Sequence, residues 1–441
     1  MQTGFICKRN PPDVAVVGGG PAGMLAALTA ARAGARVTLL ERNEKLGKKL
    51  YITGKGRCNV TNTADFEDFF GQVPRNPRFL QAAIRGFSHV ALRDVLQQLG
   101  VPTVEERGRR VFPASQKASD VTRGLARGLA EAGVDVRLSC RALALDAAYG
   151  AISGLRLENG EALAARAVIL ATGGASYPAT GSTGDGYTLA RAVGHTVHGP
   201  LPALVPLIAR DVWPAALQGL SLRNVRLAAR RGGRLIFDEQ GELLFTHFGI
   251  SGPLALALSS QAQGDGAQTG EGAQAALWGA LDVRLDTKPG LTFEQLDARL
   301  LRDFEALARK QFANALAGLL PARMAATLPQ ICGIPAHKPV HQITRAERQA
   351  LGALLKGIPL PIAGTRALEE AVITRGGVEV RQVDPSTMMS KRVPGLYFAG
   401  ELLDVDAQTG GFNLQIAFST GVLAGQAAAA QVRRDQCDQA N

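Results

Sequence analysis

Residues 13–42 read DVAVVGGGPAGMLAALTAARAGARVTLLER. Val14 to Val17 form an apolar, largely β-branched run that suits a strand buried on both faces. Gly18-x-Gly20-x-x-Gly23 then turns the chain into an alanine-rich helix ending near Gly34, and Arg36 to Glu41 supply a second strand. Gly18 permits the tight turn, Gly20 lets the backbone approach a pyrophosphate, and Gly23 lets helix and strand pack closely. Pro21 and Ala22 open a helix whose free N–H groups and dipole attract phosphate. Glu41 lies 23 residues after Gly18, at the end of the second strand, where a carboxylate can accept from ribose hydroxyls. Strand, glycines, helix, strand and acid all fall at the spacing of a dinucleotide-binding βαβ unit.

Only one such unit is visible, so a separate nicotinamide-binding domain of the same kind is not expected. Two other strand-to-glycine turns follow. In AVILATGGASYPATGSTGDGY, residues 167–187, a buried strand runs into Thr172-Gly173-Gly174, and a second glycine turn opens a helix at Asp185. In GLYFAGELLDVDAQTGGFNLQ, residues 395–415, an apolar strand ends in Gly400-Glu401, and Gly410-Gly411 lead into a helix through Phe412, Asn413 and Leu414. Three strand-to-glycine turns can converge on one large cofactor at the C-terminal edge of a parallel sheet.

These pieces, with KLGKKLYITGKGRCNVTN (residues 45–62) and ELLFTHFGISGP (residues 242–253), resemble the FAD-binding flavoproteins of the aminoacetone-oxidase-like and BaiN-like family. More distantly they resemble fumarate reductases and aspartate oxidases. The likeness runs from residue 14 to about 425. It implies an α/β fold: a Rossmann-like FAD-binding domain of the glutathione-reductase type, with an inserted antiparallel β domain and a small helical domain. The boundaries expected are 1–193 plus 365–441 for the FAD domain, 194–290 plus 358–364 for the β domain, and 291–357 for the helical cap. Period-two alternation around Val225 and Leu235, and apolar residues at 296, 300, 304 and 307, support the last two assignments. Residues 263–274, QGDGAQTGEGAQ, read as a low-complexity loop.

The resemblance also implies site residues. The loop after the second strand would wrap the flavin, which puts Lys48, Lys49, Lys55 and Arg57 beside two phosphate charges, with Arg42 also among the cofactor-binding residues. Gly54 and Gly56 would let the backbone pass a flat ring, with Cys58 and Asn59 near the isoalloxazine. Thr172, Gly173, Gly174 and Asp185, then Gly400 and Glu401, would line the rest of the cofactor. The helix after Gly411 would aim its start at the flavin pyrimidine edge, where Asn413 either bonds a flavin carbonyl or caps its own helix. Cys58 has no second cysteine nearby and reads either as a redox reporter or as a small pocket-lining residue. His247, in FTHFGISGP, reads as a proton donor or as a loop histidine. Tyr177 and Arg57 are weaker candidates for touching substrate.

Composition limits the alternatives. The five cysteines are odd in number with no CxxC pair, which argues against a disulfide scaffold and fits a reducing, cytoplasmic compartment. MQTGFICKRNPP lacks a signal-peptide pattern, and no run is apolar enough for a membrane span. His195-x-x-His198 and His337-x-x-x-His341 have metal-like spacing, but no acid or cysteine completes either pair, so no metal is expected. Of the net charge of +11, residues 1–60 carry +7, from ten Lys or Arg against three acids. The excess sits beside the cofactor segment, so composition requires no nucleic-acid surface.

The expectation is an FAD-dependent oxidoreductase that moves hydride to or from a small organic molecule, with NAD(P)H as a possible transient reductant. By resemblance the substrate is an amine such as aminoacetone, or an enone reduced at its C=C bond. Two rivals stand beside it: an FAD-dependent tRNA-modifying protein, and a non-enzymatic flavin redox sensor reporting through Cys58.

Overall fold

The computed structural model describes residues 11–263 and 271–440, so most of the low-complexity stretch 263–274 lies outside the described residues. The chain divides into two compact units, residues 1–201 with 372–441, and residues 202–371.

The first unit is built on strand β1 (Val14–Val17), helix α1 (Pro21–Arg32) and strand β2 (Val37–Leu40). A small antiparallel sheet follows, made of β3 (Thr61–Asn62), β4 (Thr103–Glu106) and β5 (Arg110–Pro113), with β5 in the middle. Strands β6 (Asp135–Arg137), β7 (Ala167–Leu170), β8 (Ile373–Val378) and β9 (Leu396–Phe398) complete the strands used below, and helix α2 runs over Phe412–Ala440. The main sheet has the order β9-β7-β1-β2-β6, parallel throughout. Every residue of β1, β2, β7 and β9 is buried, as a parallel sheet covered on both faces requires. Each fully buried Val or Leu contributes about 1.5–3 kcal/mol. The C-terminal ends of β1, β7 and β9 run directly into the three glycine turns, so the register Val17↔Leu170 and Leu170↔Phe398 brings those turns to one sheet edge.

Helix α1 lies close to its neighbours because glycines face it. A Cβ on Gly23 would collide with the Gly18 carbonyl, and a Cβ on Gly421 or Gly425 of α2 would collide with the carbonyls of Ala22 and Ala26. Gly34 (φ +92°) ends α1 in the left-handed region that a side chain disfavours.

His195 and His198, the metal-like pair, have separate partners. His195 Nε2 lies 2.8 Å from Ser390 Oγ, and its ring meets Phe398 edge-on, whereas His198 Nε2 lies 2.7 Å from Glu379 Oε2.

The second unit holds a seven-stranded antiparallel sheet. Its long hairpin, Ser221–Arg231 with Arg234–Thr246, is flanked by Leu281–Asp286 on one side and Gly249–Ser251 on the other. Helices Phe293–Ala306, Ala322–Cys332 and Arg345–Leu355 share one apolar core with that sheet, through Leu296, Leu300, Phe304, Leu328 and Leu351. Thr292 and Thr344 start two of these helices with reciprocal side-chain caps to Gln295 and Glu347. Among the described residues no helix is long and apolar enough to cross a membrane.

Two outcomes follow from this packing. Gly425→Val forces α1 and α2 apart and is expected to cost at least about 1–3 kcal/mol, read as a lower midpoint in denaturant unfolding. Burial pushes the His195 imidazole down to about 4 from its ordinary 6.5. Below pH 6.5 the unfolded chain therefore takes up a proton that the folded chain refuses. This share of stability is complete above pH 6.5 and is lost as pH falls toward about 4. His195→Gln should flatten the pH dependence of the unfolding free energy across that window.

Candidate functional site

The start of α1 is an open anion cradle. Gly20 is its N-cap, no side chain caps the helix, and no acid occupies the first turn. Pro21 takes the first position, where an amide hydrogen is dispensable. A Cβ on Gly20 would meet nothing within 4 Å, so the space before the helix is free for a ligand. The Ala22 and Gly23 amides, at helix positions with no intrahelical acceptor, are available to a diphosphate.

Glu41 is buried and shapes this turn. Its Oε2 accepts from the Gly19 amide at 2.7 Å, and its Oε1 accepts from the amide and side chain of Asn43 at 2.8 and 2.7 Å. About one acceptor position of the carboxylate is left for a ribose hydroxyl. Arg42 and Asp185 lie in a separate ionic cluster. Asp185 accepts from Arg42 at 3.1 Å, from Arg141 at 2.8 and 3.1 Å, and from Thr183 at 2.9 Å. Burial alone would push its carboxyl up. The bonds from Arg141 and Thr183 and the charge of Arg42 outweigh that and hold it below the usual carboxylate range.

Lys49 joins four segments. Its Nζ lies 2.9 and 3.1 Å from the two Glu401 oxygens and 2.7 Å from Ser176 Oγ. Glu401 Oε1 also accepts from the Thr374 amide at 2.8 Å, and Thr374 Oγ1 accepts from the Ala175 and Ser176 amides at 2.8 and 3.0 Å. A Cβ on Gly174 would strike Thr374, which explains the second glycine of that turn. The loop after β2, the turn after β7, strand β8 and the turn after β9 are thus tied at one charged centre. Lys48 only pairs with Glu44 at 3.4 Å on the surface.

The GKGRC segment coils through Gly54, Lys55, Gly56 and Cys58, where glycine or left-handed backbone recurs (φ +56°, +59°, +85° and +61°). Arg57 hydrogen-bonds Glu106 and Gln116 and stacks 4.1 Å over Phe112, so its charge is used within the small sheet. Cys58 is fully buried, and burial pushes its thiol up to about 11, so it is a neutral thiol at physiological pH. Asn59 Oδ1 and Thr172 Oγ1 are buried and have no protein partner among the described residues. Oxygens of this kind fit a polar cofactor, since a buried polar atom left unpaired costs about 1–3 kcal/mol.

At the C-terminal turn, Gly411 (φ +101°) lies against the Thr61 backbone so closely that a Cβ could not fit. Phe412 packs on Phe69, ring centroids 5.4 Å apart. Asn413 spends its amide on the loop before it, accepting from the Ala407 amide at 2.9 Å and donating to the Ala407 carbonyl at 2.7 Å. Gln408 Oε1 is buried with no protein partner among the described residues.

Sequence reasoning missed Ser176, Thr374, Gln408, and the pair Arg375–Asp406, 2.8 Å apart with side chains 4% and 1% exposed. The available signal was Arg375 itself, a lone charge in the apolar stretch AVITRGGV, residues 371–378. A buried arginine needs an acid, and DVD at residues 404–406 offers two. Asp404 takes Arg75, at 2.8 Å. His247 belongs to the second unit. It sits exposed in the two-residue turn between Thr246 and Gly249, its ring edge-on to Phe248 at 4.9 Å.

The sequence profile of the HI0933-like protein Rossmann domain matches residues 12–427. The chain is similar to a 3-dehydro-bile acid delta(4,6)-reductase of Clostridium scindens, 32% identical over 94% of this chain and 98% of the relative. It is similar to the ribosomal RNA dihydrouridine synthase of Escherichia coli, 30% identical over 92% of this chain and 96% of the relative. Among solved structures, Escherichia coli quinol fumarate reductase FrdA shares the fold, with a TM-score of 0.50 and 17% identity over 96% of this chain and 71% of that one.

The charged centre and the buried thiol give two measurable outcomes. Glu401→Ala leaves Lys49 without its carboxylate and should strip FAD from the protein during gel filtration, whereas Glu401→Gln should retain more of it. Iodoacetamide at pH 8 should alkylate exposed Cys437 and spare Cys58 in the folded protein, with both modified after denaturation, read by peptide mass spectrometry.

Proposed function

The chain belongs to the HI0933-like Rossmann-domain family and is an FAD-dependent oxidoreductase, and on that premise we propose that it reduces a carbon–carbon double bond conjugated to a carbonyl. The observation that carries this reading is a shared bond type. A bile-acid 4,6-diene beside a 3-keto group and the C5=C6 bond of uracil beside its C4 carbonyl are different molecules, yet both are enone-like. They are the bonds named in the activities of relatives 32% and 30% identical to this chain. Amine oxidation, the other chemistry compatible with the resemblance, matches neither name.

Bound FAD, re-reduced by NADH or NADPH, would supply the hydride. Hydride adds to the carbon β to the carbonyl, the double-bond electrons move to the carbonyl oxygen as an enolate, and a proton then closes the α carbon. The chain's own part is to hold and shield. The uncapped start of α1 would take the diphosphate with the Ala22 and Gly23 amides. The Lys49–Glu401 pair fixes the strand-end turns against one another, and Asn59 Oδ1, Thr172 Oγ1 and Gln408 Oε1 supply polar contacts. Cys58, held neutral, is not a thiolate that could trap the electrophilic β carbon of an enone.

A small steroid-like enone is the first substrate reading, from the relative with the higher identity. A uracil ring in RNA is the second, favoured by exposed arginines on the β4–β5 hairpin.

The test is anaerobic. NADH or NADPH should bleach the visible flavin band of the purified protein, and a 3-oxo-Δ4,6 steroid should restore it with loss of the enone absorbance. Bleaching by aminoacetone, with no reoxidation by any enone or uracil compound, would overturn the reading.

A further inference from the structure

We propose that the hairpin joining β4 to β5 is a docking element for the phosphate backbone of an RNA substrate. The inference rests on the conjugated-bond reading above and deepens its uracil branch. The hairpin reads Glu106-Arg107-Gly108-Arg109-Arg110, with Glu106 paired to Arg110 across the strands, so its three-residue loop is Arg107, Gly108 and Arg109. Gly108 and Arg109 take left-handed backbone (φ +78° and +59°), which makes the loop tight. All three arginines are exposed.

What distinguishes these arginines from an ordinary solvated charge run is where the hairpin is fastened. The Asn62 side chain donates to the Gly108 carbonyl at 3.1 Å and to the Gly410 carbonyl at 3.0 Å. One amide group therefore bridges the hairpin loop and the glycine turn that begins α2. The Thr63 amide donates to the Arg109 carbonyl at 2.9 Å. On the other side Arg57, one residue before Cys58, bonds Glu106 and Gln116 and covers Phe112. The hairpin is thus fastened to two segments of the candidate site, to the GKGRC coil through Arg57–Glu106 and to the Thr409-Gly410-Gly411 turn through Asn62.

The charge on this rim is only partly compensated. Glu106 is committed to Arg57. Asp68 pairs with Arg109 at 2.7 Å, but both side chains are more than half exposed, and such surface pairs contribute about 0–1 kcal/mol. Arg110 Nε donates to the Arg107 carbonyl at 3.0 Å, and its charge also acts on Glu106 opposite it across the strands. Among the described residues no carboxylate pairs with Arg107 or with exposed Lys55. Cations clustered on this fastened rim, with Arg107 and Lys55 unpaired among the described residues and Arg109 held only by a surface pair, match a ligand with regularly spaced negative charge, and a nucleic-acid backbone is such a ligand. A bile acid carries one carboxylate, which a single arginine can pair, whereas three arginines on one loop match a row of phosphates.

The experiment measures binding of ribosomal RNA transcribed in vitro to the FAD-loaded protein by filter retention across a range of KCl. The variants are Arg107→Ala/Arg109→Ala/Arg110→Ala and, as a charge control at exposed cations on other elements of the same unit, Arg156→Ala/Lys391→Ala. Flavin content of each variant reports folding. The expected result is salt-dependent binding by the wild type. The hairpin variant should be weaker by at least about tenfold, with a log–log salt slope shallower by about 2, while the control stays close to wild type. Equal loss in both variants, or no RNA binding by the wild type, overturns the proposal. So does an effect of the hairpin variant on the KM for NADPH but not NADH with RNA binding intact, which would assign the arginines to the nicotinamide phosphate. Wild-type turnover of a 3-oxo-Δ4,6 steroid is measured separately, so the conjugated-bond reading stands or falls independently of the hairpin.

Discussion

Helix α1 packs against the sheet on one side and α2 on another while its first turn stays open. That is possible only where side chains are absent. Gly23 lies on the Gly18 carbonyl, and Gly421 and Gly425 of α2 lie on the Ala22 and Ala26 carbonyls. The same removal of side chains leaves Gly20 facing open space at the helix start. Close packing on two sides and an open cradle at the end are thus consequences of one constraint, and it fixes where β1, β7 and β9 deliver their turns.

Charge then locks what packing has positioned. Lys49, Glu401, Ser176 and Thr374 tie together segments up to 352 residues apart in sequence. A partly buried ion pair is weak grounds for stability alone, because desolvation offsets much of its attraction. Its effect here is geometric: the ammonium has a carboxylate and a hydroxyl to satisfy it, and meeting both requires the four segments to hold one arrangement. Arg375–Asp406 and Arg75–Asp404 do the same for β8 and the turn after β9.

The two named chemistries among the relatives share an electronic problem, which is to deliver hydride to a carbon made electron-poor by a conjugated carbonyl. In this chain burial keeps the Cys58 thiol neutral, and the turns at the sheet edge are built from glycines. What differs between a steroid and an RNA is how the remainder of the molecule is held. Elements outside the cofactor cradle, such as the β4–β5 hairpin, are where such a difference can be expressed.

The sequence by itself determined the α/β class, the dinucleotide unit at residues 13–42 and the return of the chain's C-terminal part to the first sheet. Each rests on local chemistry: β-branched runs, glycines where φ is positive or backbones touch, and an apolar strand ahead of each turn. Tertiary structure alone decided how individual polar side chains are spent. Asp185 and Arg42 engage each other and Arg141, Asn413 holds residues 407–408, and Arg57 is drawn to Glu106 and Phe112. Thr374 and Arg375 lie at the site although β8 carries no glycine-turn signature before them. A hydrogen bond or ion pair depends on which partner arrives within about 3 Å, and partners more than a hundred residues away in sequence leave no periodicity to read.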